Sequence, residues 1–161
     1  MTDDEVHSAI VRWVKAKTGQ TTIKSHQSGP TPSGKYCMVN MTGAIDVREH
    51  QITTDYAETA GQVSAAPVME REWRFSVHAY GATPTDTLRP ILSALQISQA
   101  MEPAYPSLIM HESSQIRHVP DWINNAWQPR AQMDLIVRGI TRDAHNIDVI
   151  EQYSFDIGRT D

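Results

Sequence analysis

One cysteine in 161 residues leaves no partner for an intrachain disulfide, so no covalent framework holds this chain. That residue, Cys37, sits in the apolar run Tyr36-Cys37-Met38-Val39, where a thiol packs as a small hydrophobe. A catalytic cysteine would need a low-pKa setting that the local sequence does not suggest. No apolar run approaches the roughly 20 residues of a membrane-spanning helix. The acidic start Thr2-Asp3-Asp4-Glu5 is unlike a signal peptide, so the expectation is a chain that is cytosolic while it is being made, without a membrane partner. Positive charge is also scarce: 14 Lys and Arg stand against 19 Asp and Glu, a net charge of −5. The cations are scattered, whereas electrostatic binding to nucleic acid needs them clustered. That disfavours a DNA-binding module.

Chemistry-bearing motifs are missing as well. The seven histidines, at 7, 26, 50, 78, 111, 118 and 145, include no pair at the i,i+4 spacing of a zinc-binding helix. His111 and His118 are seven apart in a probable strand and would point to opposite faces. No thiolate or carboxylate cluster accompanies them, so no metal is expected. The loop Gly29 to Gly34 has the wrong spacing for a phosphate-binding turn, and Lys35 is followed by Tyr36 instead of Ser or Thr and a helix. A hydrolase elbow, Gly-x-Ser-x-Gly, does not occur. Glu70 and Glu72 could mimic an acid/base pair, but Arg71 and Arg74 beside them read as a solvated charged face. No catalytic residue and no cofactor site is expected.

What remains is an ordinary globular composition, 40% hydrophobic and 20% charged, at a length that suits a single domain over residues 1–161. Residues 3–17 read as an amphipathic helix. Thr2 is the N-cap, Asp3, Asp4 and Glu5 complement the dipole, and Val6, Ile10, Trp13 and Val14 form the stripe. Lys15 and Lys17 occupy the last turn and Gly19 the left-handed stop. A short strand near Thr22–Ser25, a loop Gln27–Lys35 and a strand Tyr36–Met41 follow, with Gly43 marking a bend or bulge.

Two longer β segments, Ile45–Asp55 and Val68–Tyr80, flank the small polar stretch Thr59–Ala66. In the second, Met69, Trp73, Phe75, Val77 and Ala79 share one face. The first is polar on both faces beyond Val47, so the pair predicts a hairpin arm with little to bury in a monomer. A helix through about Ile97 is expected with Thr87 as N-cap and Pro90 in its first turn. Ser107–His118 is a weaker strand. Trp127–Ile140 alternates, with Trp127, Ala131, Met133, Leu135 and Val137 on one side. Ile147–Ile157 is expected to fold back on it across the polar turn Arg142–Asn146. The order of elements predicts an α+β fold: a mostly antiparallel β-sheet, two main helices on one face, and a protruding β-hairpin arm.

The opening helix Trp13-Val14-Lys15-Ala16 with Thr18-Gly19 and the loop Gln27-Ser28-Gly29-Pro30-Thr31-Pro32 leading to Tyr36 resemble the start of a family of phage neck or tail-terminator proteins. The strand Glu72–Gly81 running into a helix is similar to that family's central element. Trp127–Leu135, closed by Ile150-Glu151, is similar to its C-terminal hairpin. The resemblance extends over almost the whole chain, in order. It implies a non-enzymatic structural protein of the virion, made in the host cytoplasm and placed in the tail or neck. It further implies a homo-oligomeric ring, expected to be a hexamer, that caps the tail tube, ends its polymerisation and offers a surface for head docking. The implied partners are further copies of itself, the tail tube protein and head–tail connector or neck proteins, with the sheath a further candidate. Genome DNA would pass through the ring without specific binding, and an acidic channel would repel its phosphates.

Exposure arguments place the subunit or partner interface at Arg48, His50, Ile52 and Thr54, and at Trp122, Trp127 and Arg130. Aromatic residues beside loops are enriched at interfaces, although burial under a loop suits the two tryptophans equally well. Two other readings stay open. One is a head-completion or connector protein between portal and tail. The other is a small cytosolic enzyme or ligand-binding domain, which a deep pocket gathering Glu72, His78 and Arg130 would favour.

Overall fold

The computed structural model describes residues 1–97, 99, 101 and 107–148. Its first element is the helix α1, Asp3–Thr18. The Thr2 hydroxyl accepts from the Glu5 amide at 3.3 Å, and the Glu5 carboxylate accepts from the Thr2 amide at 2.7 Å. This reciprocal capping box satisfies amides that the first turn leaves without intrahelical partners. The helix stops at Gly19, whose φ of 68° is open to glycine and whose amide closes onto the Lys15 carbonyl at 2.9 Å.

The sheet follows as β1 (Thr21–Lys24), β2 (Tyr36–Asp46), β3 (Thr53–Thr59) and β4 (Gln62–Tyr80). After the helix α2 (Pro84–Ala94) come β5 (Leu108–Ser113), β6 (Arg117–His118), β7 (Asp121–Ile123), β8 (Ala126–Gln128), β9 (Arg130–Arg142) and β10 (His145–Ile147). The main sheet runs β1-β2-β4-β9-β5, with β1 parallel to β2 and the other described pairings antiparallel. The α+β architecture expected from the sequence is therefore the one observed.

The strand β4 is the spine of the molecule. Along one edge it pairs first with β3 and then with β2; along the other, first with β10 and then with β9. Its Val68–Tyr80 half lies in the core, and its Gln62–Pro67 half extends beyond the helices as an arm between β3 and β10. The arm turns at Ala60 and Gly61, whose φ values of 52° and 79° make a two-residue reversal with both central residues left-handed.

Several expectations are corrected. The segment Ile45–Asp55 is not one strand: β2 continues through a bulge at Met41–Gly43 to Asp46, and residues 48–51 loop out before β3 begins. The polar stretch Thr59–Ala66 is the arm tip and the first part of β4 instead of a separator. Trp127 does not share the buried face of β9, because Pro129, with no amide to donate, separates β8 from β9. Ser107–His118 is two strands, broken where the Asp134 amide bonds the Ser114 hydroxyl at 2.8 Å.

At Arg142–Asn146 the chain does not reverse. Arg142 pairs with Val68 and His145 with Ala65, so β10 prolongs β9 along the free edge of the arm. The remainder of the expected strand Ile147–Ile157 lies outside the described residues. Finally, α2 starts at Pro84 in N1 and ends at Ala94, which leaves Pro90 inside the helix. Pro90 is exposed, so its ring and the Asp86 carbonyl it cannot serve face solvent.

Both helices cover the same face of the sheet. Ile10, Trp13 and Val14 of α1 and Leu88 and Ile91 of α2 bury against Trp73, Phe75, Val77, Met133, Leu135 and Val137, all at 2% exposure or less. Asp3 ties α1 to β4 by accepting from the Trp73 indole at 2.8 Å.

Candidate assembly surfaces

Five histidines, at 26, 50, 111, 118 and 145, are exposed, and no group of three His, Cys, Asp or Glu among the described residues could hold a metal. His7 is buried under α1, its Nε2 3.0 Å from the Val39 carbonyl, and burial lowers its pKa despite that bond. Burial raises the Cys37 thiol to about 11, against a weak opposing bond to the Thr18 hydroxyl. Glu72, His78 and Arg130 do not converge: Glu72 and His78 are six residues apart on β4, roughly 20 Å.

The helix-free face of the sheet is a ladder of charges that neutralise one another. Glu72, only 5% exposed, accepts from Arg74 Nε at 2.9 Å and from Arg138 Nε and Nη2 at 3.1 and 3.0 Å. Burial alone would raise the Glu72 pKa, but these guanidinium bonds outweigh it and hold the carboxyl below its usual value. Arg138 also reaches Glu70 at 3.8 Å, and Arg48 reaches Glu70 at 3.6 Å. Farther along, Asp134 accepts from the Ser76 hydroxyl at 2.8 Å and pairs with Arg117. His78 lies beyond, buried, with Nδ1 unpartnered; burial first and Arg130 second lower its pKa. Tyr36 and Tyr80 stack at 4.7 Å to close this end.

The candidate interface residues fall into two groups at opposite ends of this face. Arg48 and His50 lie in the exposed loop after β2, Ile52 follows at 50% exposure, and Thr54 is half-buried within β3. They stand at the base of the arm. Trp122 and Trp127 lie on the β7–β8 hairpin at 57% and 66% exposure, so they are neither core residues nor buried beneath a loop. Their rings meet edge to face at 5.1 Å across a turn of Asn124 and Asn125, both with positive φ. Arg130 anchors the hairpin, bonding Asp121 at 2.8 Å and the Val119 carbonyl at 3.1 Å.

Sequence reasoning missed an exposed isoleucine patch beside the charge ladder. Ile45, Glu72, Arg138 and Ile109 form one cross-strand row, and Ile140 pairs with Glu70 in the next. Ile52, Ile109 and Ile140 rim a shallow cavity with Glu70, Arg138 and Gly139. The signal was present as apolar residues on the polar side of each strand, but it is legible only once the register brings four strands together. The exposed isoleucines beside the buried charge pairs, and the two exposed tryptophans on the hairpin, are therefore the candidate assembly surfaces.

No curated protein sequence matches the chain. Among solved structures, it is similar to the sheath/tube terminator of PVC, an extracellular contractile injection system, in its extended state, with a TM-score of 0.59 at 12% identity. The likeness is one of fold; it covers 99% of this chain and 64% of that one, so this chain spans less than two thirds of its relative's length. A second solved structure, at 15% identity and a TM-score of 0.41, covers 86% of this chain and 96% of its own, too distant in fold to carry an argument. The family model described as phage neck terminator protein matches residues 4–160. With a match over that span, the chain belongs to the phage neck terminator family.

Proposed function

We propose that this protein is a non-enzymatic part of the phage virion that assembles as a closed ring, expected to hold six copies, on the end of the tail tube. There it stops tube growth and presents the surface to which the head or neck docks. It is made in the host cytoplasm, and the genome passes through its channel without specific contacts.

The observation that carries this reading is the arm. The strand β3 is exposed at all but one of its seven residues and, among the described residues, pairs only with β4, so a lone subunit gains little by making it. In a ring each copy uses one surface to meet a different surface of the next, and a projecting arm is suited to such a contact. The net charge of −5, repeated around a channel, would repel phosphate.

Light scattering with negative-stain images of the same sample tests the ring, and adding the protein to polymerising tail tube subunits tests termination. Closed rings, and tubes whose growth stops when the protein is added, support the proposal. A strict monomer that leaves tube growth unchanged overturns it. Labelling in intact virions separates the tube end from a slot nearer the portal, which would assign the connector role instead.

A further inference from the structure

Most charges without an ion-pair partner among the described residues sort by sign to opposite ends of the β4–β9 ladder, each beside exposed apolar side chains. Glu112, in the middle, and the amino-terminal Met1, beside Ile140 and Arg142, are the exceptions. Arg12, Lys15 and Lys17 lie on the second half of α1, and Lys35 immediately precedes β2; none has an ion-pair partner among the described residues. The end of α1 is placed by Thr18, whose hydroxyl lies 3.9 Å from Cys37 Sγ, and Cys37 pairs with Ala79 near the end of β4. The Trp122–Trp127 hairpin hangs from the same end, since Arg130 pairs with Tyr80.

The other end carries the opposite sign. Glu58 on β3, Asp143 and Asp148 on either side of β10, and Glu49 in the loop before β3 are exposed and likewise unpaired among the described residues. Beside them stand Tyr56, 69% exposed on the arm, and the isoleucine rim of Ile52 and Ile140. Twelve extended residues, roughly 40 Å, separate Val68 at the base of the arm from Tyr80.

We propose that the acidic arm of one copy docks on the basic, tryptophan-bearing end of the next copy. This rests on the ring reading above and supplies its receiving surface. A two-fold dimer joined end to end would set like end against like end, basic on basic or acidic on acidic. A side-by-side antiparallel dimer would close at two copies, which the sedimenting mass distinguishes from a ring. A head-to-tail contact sets unlike charges together and covers the arm's exposed tyrosine with cations that can lie over its ring. The same contact brings the second apolar patch of each copy toward the first patch of its neighbour. Direction around the ring is then written in the charge polarity of the chain, and a second copy is the occupant that polarity specifies.

Charge reversal tests this with exposed residues whose side chains make no ion pair among the described residues. The arm variant carries Glu58→Lys and Asp143→Lys; the helix variant carries Arg12→Glu and Lys15→Glu. Sedimentation velocity at low salt, with circular dichroism to verify folding, should show each variant alone associating at least about tenfold more weakly than the wild type. An equimolar mixture should regain assembly, because each altered patch then meets an altered partner. Added salt should weaken wild-type assembly in the same direction. Variants that assemble as well as the wild type, or a mixture that stays dissociated, overturn this docking while leaving a wild-type ring intact. A wild type that is monomeric at every concentration overturns the ring and the docking together. Loss of binding to tail tubes with self-assembly unchanged would assign the arm to the tube protein instead.

Discussion

Replacing Glu72 with Gln tests whether the helix-free face is held by its charge ladder. Glu72 accepts three hydrogen bonds, one from Arg74 and two from Arg138. Bonds to charged groups contribute roughly 1.5–3 kcal/mol each when buried. The Arg74 side chain is 53% exposed, so water replaces Glu72 there and that bond counts for little. The Arg138 side chain is 30% exposed; the Gln amide oxygen can still accept from it, but the charge is gone and the 3.8 Å contact with Glu70 is the ion pair left to it among the described residues. Discounting its two bonds for the reach of water leaves about 2 kcal/mol for Glu72→Gln. In a chain of this size that lowers the melting temperature by about 4–8 °C.

The pH dependence carries the sharper test. Burial opposes ionisation of Glu72, but the bonds from Arg74 and Arg138 prevail, so its folded pKa lies below the ordinary 4.5. Its contribution is therefore complete above 4.5 and is lost as pH falls through the folded value. Urea unfolding of wild type and variant, followed by tryptophan fluorescence, should show the full difference at pH 7 and a shrinking one below pH 4. A difference under 0.5 kcal/mol at pH 7, or one that persists unchanged into acid, would refute the reasoning.

Other predictions concern the core and the surface. Leu135→Ala opens a cavity at a fully buried position and should destabilise by about 2–5 kcal/mol in the same unfolding assay. Cys37, raised to about 11, should resist thiol reagents at pH 8 in the native protein and react promptly in denaturant. His7 and His78 are both lowered below 6.5, chiefly by burial, so the unfolded chain takes up protons first. Stability should be full above pH 6.5 and decline as pH falls below it; a flat profile from pH 7.5 to 5.5 contradicts this. Trp122→Ala combined with Trp127→Ala should change stability by less than about 1 kcal/mol, since both rings are exposed, while weakening self-association at least tenfold by light scattering.

What could be read from the sequence divides along the range of the forces involved. The helix α1 was legible to within a residue because its cap, dipole partners and stop are all local. The core half of β4 was legible because a sheet face buried on one side imposes a period of two. The arm was expected, but its strands were misplaced. Ala60 beside Gly61 adopts a left-handed turn without the Asn-Gly or Asp-Gly signature that advertises one. The course of β10 was hidden for a different reason. Arg142–Asn146 is polar enough to suggest a reversal, and only the free edge of the arm, supplied by distant residues, draws the chain straight on. Pro90 misled because a proline favours a first turn, whereas Pro84 had already taken that place. Exposure of the loop at Arg48–His50 and of Trp122 and Trp127 could be anticipated from local polarity and turn residues, but the isoleucine patch required the register of four strands.

The continuity of β4 also has a mechanical consequence. One unbroken strand of 19 residues serves both the arm and the core, and between Val68 and Tyr80 it is paired residue by residue with β9. A pull on the arm along that strand does not peel the ladder open one bond at a time. It loads the transverse hydrogen bonds of the whole overlap in shear, all at once. Tension applied at the tip is shared across the span of the sheet, so the arm can hold a load that would strip a hairpin paired only at its base.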